Sequence, residues 1–219
     1  MTLHLEVLPP AQATFWREAA SRVPRHFALY GGTAIALQLG HRVSVDFDFF
    51  SDQALDRIAL HAALPELDVA TVLQAGADTL VVTAGAAVAS VKLSFFGGLR
   101  FGRVGEPQRA ENGVAVAAPL DLLATKLKTL HDRVEARDYV DIEALLRSGL
   151  KLDDGLAAAM ALFGPALNPL DTAKAVGWFK DGGLESALSE PSRRYLAAAA
   201  AAFNPAVAPM PIRSHSLAG

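Results

Sequence analysis

Residues 30–50 read YGGTAIALQLGHRVSVDFDFF, and the rest of the chain can be read outward from them. Gly31 and Gly32 follow an apolar run (Phe27, Ala28, Leu29, Tyr30) with the character of a buried strand. Glycines at a strand-to-helix turn let backbone come close to a ligand, and the N–H groups that open the next helix can hold phosphate. Thr33 is placed to cap that helix and to offer its hydroxyl to a phosphate oxygen. Asp46 and Asp48 are two residues apart, which puts both carboxylates on one face of a strand, with Phe47, Phe49 and Phe50 expected to make its apolar opposite face. Two carboxylates beside a phosphate-binding turn form a seat for Mg²⁺ carrying a nucleoside triphosphate (NTP).

A second run, KLKTLHDRVEARDYVDI at 126–142, adds basic and acidic side chains at helical spacing. If one continuous helix is assumed, Lys126, Leu130, Arg133, Arg137 and Asp141 share a narrow face, and cations gathered there suit phosphates. Lys126 is the first choice for direct triphosphate contact. Arg133, Arg137, Asp138 and Asp141 either join the site or pair with one another to lock helices in place. His131 reads as a surface residue.

Together, GGTAIALQLGHRVSVDFDFF and the later Lys-Leu, Arg, Arg-Asp, Asp pattern resemble, in order, the motifs of the AbiEii/AbiGii-type nucleotidyltransferases, over roughly residues 25–150. These are toxin components of a class of bacterial toxin–antitoxin system. The resemblance implies a nucleotide and metal site at the Gly-Gly turn and the Asp pair, tRNA as acceptor, and an antitoxin from an adjacent gene as partner. Superfamily members commonly carry a third carboxylate on a later strand. Here VKLSFF stands at that place, with Ser94 where the acid is expected, which implies a single-metal site, an acid entering from elsewhere or weakened catalysis; Lys92, on the same face, either reaches the triphosphate or is an ordinary strand-edge lysine.

Composition sets the outer bounds. The chain has 219 residues, 52% hydrophobic and 20% charged, enough for one good-sized domain or two small ones packed together. A formal net charge of −3 gives the whole molecule no pull towards nucleic acid, so RNA contact requires a local basic patch. The lack of cysteine excludes disulfides, thiol catalysis and cysteine-based metal centres. MTLHLEVLPP has neither a basic start nor a long apolar core, and no stretch reaches membrane-span length, so the expected address is the cytoplasm, with no membrane partner.

Periodicity predicts a helix over 11–22, anchored by Phe15 and Trp16, a first strand over 26–30, and a helix over 33–39 ending at Gly40. His41 and Arg42 precede the Asp strand, 45–50, and either line the site or are ordinary loop residues. A helix capped by Ser51 or Asp52 and reaching Leu64 is expected next. Three alternating segments, 68–73, 79–83 and 87–96, predict an antiparallel meander. Residues 97–112, with Arg100, Arg103 and Arg109, read as a solvated loop or a mobile arm. After a short strand at 113–117 the pattern turns helical, starting at Pro119. These features predict an α+β fold, with strands and flanking helices over 1–117, a helical region over 118–203 and a loose tail over 204–219; the resemblance implies that the first part is a nucleotidyltransferase-type mixed sheet. The expected cleft has Asp46 and Asp48 on one wall and Lys126 on the other. The expected function is Mg²⁺-dependent transfer of a nucleotide from NTP to an acceptor. A small-molecule nucleotidyltransferase and a non-catalytic nucleotide-binding protein are the alternatives.

Overall fold

In the DFDFF segment, alternate aromatics are driven out of water, and pairing into a sheet buries Phe47 and Phe49 completely while Asp46, Asp48 and Phe50 stay partly exposed on the other face. The computed structural model describes residues 2–85 and 90–219. It divides the chain into two units: residues up to Ala118 together with Ser214–Gly219, and Pro119–Arg213.

The first unit runs through helix α1 (Pro10–Glu18), strand β1 (Ala28–Tyr30), α2 (Gly31–Leu39), β2 (Asp46–Phe50), α3 (Arg57–Ala63) and strands β3 (Thr71–Ala75), β4 (Thr79–Ala84), β5 (Val91–Phe96), β6 (Gln108–Arg109) and β7 (Ala115–Val116). Among the described residues the strands form one seven-stranded sheet in the order β3-β4-β5-β2-β1-β7-β6. It is mixed. β2 runs parallel to β5 and antiparallel to β1, and β1 runs parallel to β7. β3, β4 and β5 form the expected antiparallel meander; the first part of the segment predicted at 87–96 lies outside the described residues. Against the apolar face of β2, α1 brings Phe15, with its ring centroid 5.0 Å from that of Phe47, and Trp16, stacked at 6.0 Å. Phe49 stacks on Phe95 of β5 at 5.3 Å. This aromatic layer fixes which face of β2 is buried, because slipping the strand by one residue would drive the two carboxylates into it.

The second unit is helical: α4 (Pro119–Thr129), α5 (Ala136–Arg147), α6 (Leu152–Phe163), α7 (Pro169–Val176), α8 (Leu184–Ala187) and α9 (Glu190–Ala201). Pro119 opens α4 at the position where a missing N–H costs nothing, and Asn168 and Ser189 cap α7 and α9. The backbone of α6 comes close to α4: a Cβ at Gly155 would stand 2.6 Å from Leu123 Cδ2.

Several expectations are corrected. Phe50 shares the face of the aspartates and stacks on Tyr30 at 4.8 Å, as period-two geometry requires. The helix after β2 is capped by Asp56, whose carboxylate accepts from Ala59 N–H. Ser51 and Asp52 instead accept from Gln53 and Leu217 N–H. The 126–142 motif is not one helix, because α4 ends at Thr129 and α5 begins at Ala136. The C-terminus is not loose: Leu217 and Ala218 are buried, Ser214 bridges to Arg103, and Arg109 donates to the Ala218 carbonyl. Arg103 is itself buried rather than solvated, donating to the carbonyls of Gly105 and Ser216 and to the Glu106 carboxylate.

Candidate active site

The strand β2 presents Asp46 and Asp48 side by side, and the register of its neighbours decides what faces them. Across β5, Asp46 pairs with Lys92 and Asp48 with Ser94. Across β1, Asp48 pairs with Tyr30. Lys92 Nζ lies 3.7 Å from Asp46 Oδ2, with both side chains partly exposed. Ser94 is buried beside Asp48, at the register position where a third carboxylate was expected.

Immediately after Tyr30, Gly31 turns the chain into α2 with φ of 71°. Left-handed backbone favours glycine, and space makes the same demand: a Cβ at Gly31 would collide with Asp48 Oδ2 and stand 3.2 Å from its Cγ. The bare glycine is what lets the carboxylate lie over the turn. No side chain caps α2 at Tyr30, and its first-turn N–H groups, including those of Gly32 and Thr33, have no helical partners by geometry. Gly40 closes the helix in left-handed conformation, donating to the Ala36 carbonyl.

Thr33 sits inside the first turn of α2 instead of capping it. Its buried hydroxyl donates to the Asp46 carbonyl and lies 2.8 Å from Ser44 Oγ, so it holds the aspartate-bearing strand to the helix. The phosphate contact suggested for that hydroxyl would compete with these bonds. Arg42 turns a guanidinium nitrogen back to the Val43 carbonyl.

In the second unit the motif residues converge on a different arrangement. Lys126 Nζ lies 2.7 Å from Asp138 Oδ1 and 2.8 Å from Asp141 Oδ2, with all three side chains buried. Arg133 donates to both oxygens of Asp138, at 2.9 and 3.2 Å. Arg137 pairs with Glu135 at 2.6 Å, and Glu135 also lies 3.4 Å from Arg133. Burial pushes the Asp138 carboxyl up, but the hydrogen bonds and charges of Arg133 and Lys126 outweigh it and hold the group below the usual carboxylate range. The break between α4 and α5 makes this possible, since Asp138 and Asp141, three residues apart on α5, can then both meet one lysine of α4. His131, exposed as expected, pairs with the Thr172 hydroxyl at 2.7 Å.

The sequence reading missed two features. One is Glu135, which ties Arg133 to Arg137. The other is the cluster of Tyr30, Phe50 and Phe101 beside Asp48, with Phe101 edge-on to the other two rings at 6.2 and 6.3 Å. The strand period carried the signal for Phe50; nothing in the sequence pointed to Phe101.

Among the described residues no group of three or more His, Cys, Asp or Glu gathers as a metal cage. A two-carboxylate seat nevertheless suits Mg²⁺, which keeps several waters and is commonly held by one or two carboxylates plus substrate phosphates. Its donors are hard oxygens, adjacent, partly exposed and on one face.

The profile of the family described as "Nucleotidyl transferase AbiEii toxin, Type IV TA system" matches residues 15–209. An uncharacterized protein of Aquifex aeolicus (strain VF5) is 29% identical over 124 residues, 55% of this chain and 58% of that protein. The chain thus spans little more than half the length of that curated relative. Among solved structures, a candidate nucleotidyltransferase from H. pylori shares the fold with a TM-score of 0.55 at 19% identity, over 86% of this chain and 91% of that one. JHP933 from Helicobacter pylori gives 0.53 at 19% identity, over 86% and 88%. No described helix is long and apolar enough to cross a membrane.

Proposed function

We propose that this chain, which belongs to the AbiEii nucleotidyl transferase toxin family of type IV toxin–antitoxin systems, transfers a nucleotide from an NTP to an acceptor hydroxyl or phosphate at the face carrying Asp46 and Asp48. The observation that carries the reading is the juxtaposition of the two carboxylates, Lys92 and the Gly31 turn on neighbouring strands of one sheet. Mg²⁺ held by Asp46 and Asp48 would neutralise triphosphate charge and steady the departing pyrophosphate.

The chain's own residues do the positioning. The α2 N-terminus, through Gly31 and Gly32, offers N–H donors and the positive end of a helix dipole to phosphate oxygens. Lys92 adds an ammonium on the same face. In the reaction an acceptor oxygen bonds to the α-phosphorus and the bond from that phosphorus to the oxygen bridging to the β-phosphate breaks. Pyrophosphate leaves with the electron pair, and the acceptor proton passes to solvent. Within the helical unit, Lys126 is a further candidate for phosphate contact: its ammonium is held by Asp138 and Asp141, and Arg133, bonded to the same Asp138, has a partly exposed guanidinium group.

The acceptor we propose is tRNA, with growth arrest relieved by an antitoxin encoded alongside; both rest on family membership. The test is incubation of the purified protein with each α-labelled NTP, Mg²⁺ and, in parallel, total bacterial RNA or a panel of small-molecule hydroxyl and phosphate acceptors. Label on a tRNA-sized band supports the reading and names the base. Label confined to small-molecule acceptors would replace tRNA while leaving the transferase reading standing. No Mg²⁺-dependent labelling of either kind of acceptor would overturn it.

A further inference from the structure

We infer that the site works with a single metal ion, because Lys92 supplies as a built-in cation the positive charge that a second ion supplies in two-metal phosphoryl transfer; this rests on the nucleotidyl-transfer reading above. Two-metal sites set their ions about 3.5–4 Å apart, and each ion needs its own oxygen ligands besides a shared carboxylate. The sheet register shows what stands around the Asp pair to serve as such ligands.

On the β5 side, Asp46 faces Lys92 and Asp48 faces Ser94. One strand further, β4 sets Thr83 against Lys92 and Val81 against Ser94. On the other side, β1 offers Tyr30. The pair is therefore bordered on its sheet face by a cation, hydroxyls and apolar groups, and no third carboxylate joins it among the described residues. The ammonium stands 3.7 Å from Asp46 Oδ2, beside a carboxylate that a second ion would have to share. A dication brought there would meet the ammonium head-on. Paired on both sides by β4 and β2, the Lys92 backbone is fixed, while its side chain is 43% exposed and its head can reach a phosphate oxygen without leaving the neighbourhood of Asp46. Lysine serves this purpose as a compact point charge on a flexible stem.

The test is Mn²⁺ binding to the whole protein with one equivalent of inorganic tripolyphosphate, followed by electron paramagnetic resonance. That probe presents phosphates without choosing a base and reads stoichiometry independently of turnover. Wild type is expected to bind one Mn²⁺ with the spectrum of an isolated ion. Lys92→Glu, at a partly exposed position, is expected to bind a second ion and to show the spin-coupled spectrum of a close pair. Because Ser94 is buried, the double variant Lys92→Ala/Ser94→Asp serves as a second arm, with folding checked by circular dichroism. Two coupled ions in wild type would overturn the single-ion inference and leave the nucleotidyl-transfer reading intact, as would both variants remaining at one ion. No Mn²⁺ bound by wild type would overturn the metal assignment of Asp46 and Asp48, and this inference with it.

Discussion

Gly31→Ala tests whether the turn was built for Asp48. Two costs can be read from the structure. Backbone at φ of 71° disfavours any residue with a Cβ, at roughly 1–2 kcal/mol for left-handed geometry. The new methyl would also collide with Asp48 Oδ2, with the carboxylate Cγ only 3.2 Å away and its Cβ 3.3 Å away, so the side chain has to swing aside. For a chain of this length each 1 kcal/mol lowers the melting temperature by about 2–4 °C, so a fall of about 2–8 °C is expected. The catalytic loss is expected to be far larger in proportion, because a displacement on the order of 1 Å in a positioned group costs about 100-fold in rate. Gly32→Ala is the control: Gly32 lies within α2 and is not among the left-handed glycines, so its substitution should be the milder of the two. The assay is the rate of NTP-dependent labelling beside a thermal melt for each variant. A Gly31→Ala protein that melts lower but labels at the wild-type rate would refute the argument that the glycine makes room for the carboxylate.

Two further predictions concern stability. Lys126→Met leaves Asp138 and Asp141 buried without their lysine and should destabilise the helical unit by about 3–5 kcal/mol, measured by urea denaturation. The Asp138 carboxyl is held below its unfolded value, so its contribution is present above about pH 4 and is lost as pH falls through the depressed folded value; the variant should show a weaker dependence on acid than wild type in that range. An unchanged urea midpoint would show that the cluster does not hold the helices. Deleting Ser214–Gly219 removes the buried Leu217 and the carbonyl partners of Arg103 and Arg109, and should cost at least the burial of one leucine, about 1.5–3 kcal/mol. Proteolysis should then cut within residues 99–112; resistance equal to wild type would show that the C-terminal segment does not hold that loop.

The sheet and the Asp pair were legible in the sequence because local rules govern them: period-two alternation, a glycine pair where a strand becomes a helix, and apolar runs bounded by glycine and proline. What stayed hidden depended on contacts between distant residues. No proline or glycine marks the break at 130–135, yet Arg133 and Lys126 both converge on Asp138, and an unbroken helix would carry Lys126 and Asp138 on one rigid rod. The tail looked loose because its composition is rich in proline and polar groups, while its burial comes from Leu217, Ala218 and a bridge to Arg103, more than a hundred residues away. The place of Thr33 after two glycines suggests a cap, but the helix takes in both glycines and turns the hydroxyl inward, to Ser44 and the Asp46 carbonyl.

The proposal that Asp46 and Asp48 together carry nucleotidyl transfer is tested most directly by pyrophosphate release. Wild type, Asp46→Ala and Asp48→Ala would be compared with NTP, Mg²⁺ and bacterial RNA, with circular dichroism confirming the fold of each. Both carboxylates are partly exposed at the sheet face, so the variants should fold. Wild type should release pyrophosphate, and release should fall to background in both variants. Release at the wild-type rate by either folded variant would contradict the proposal.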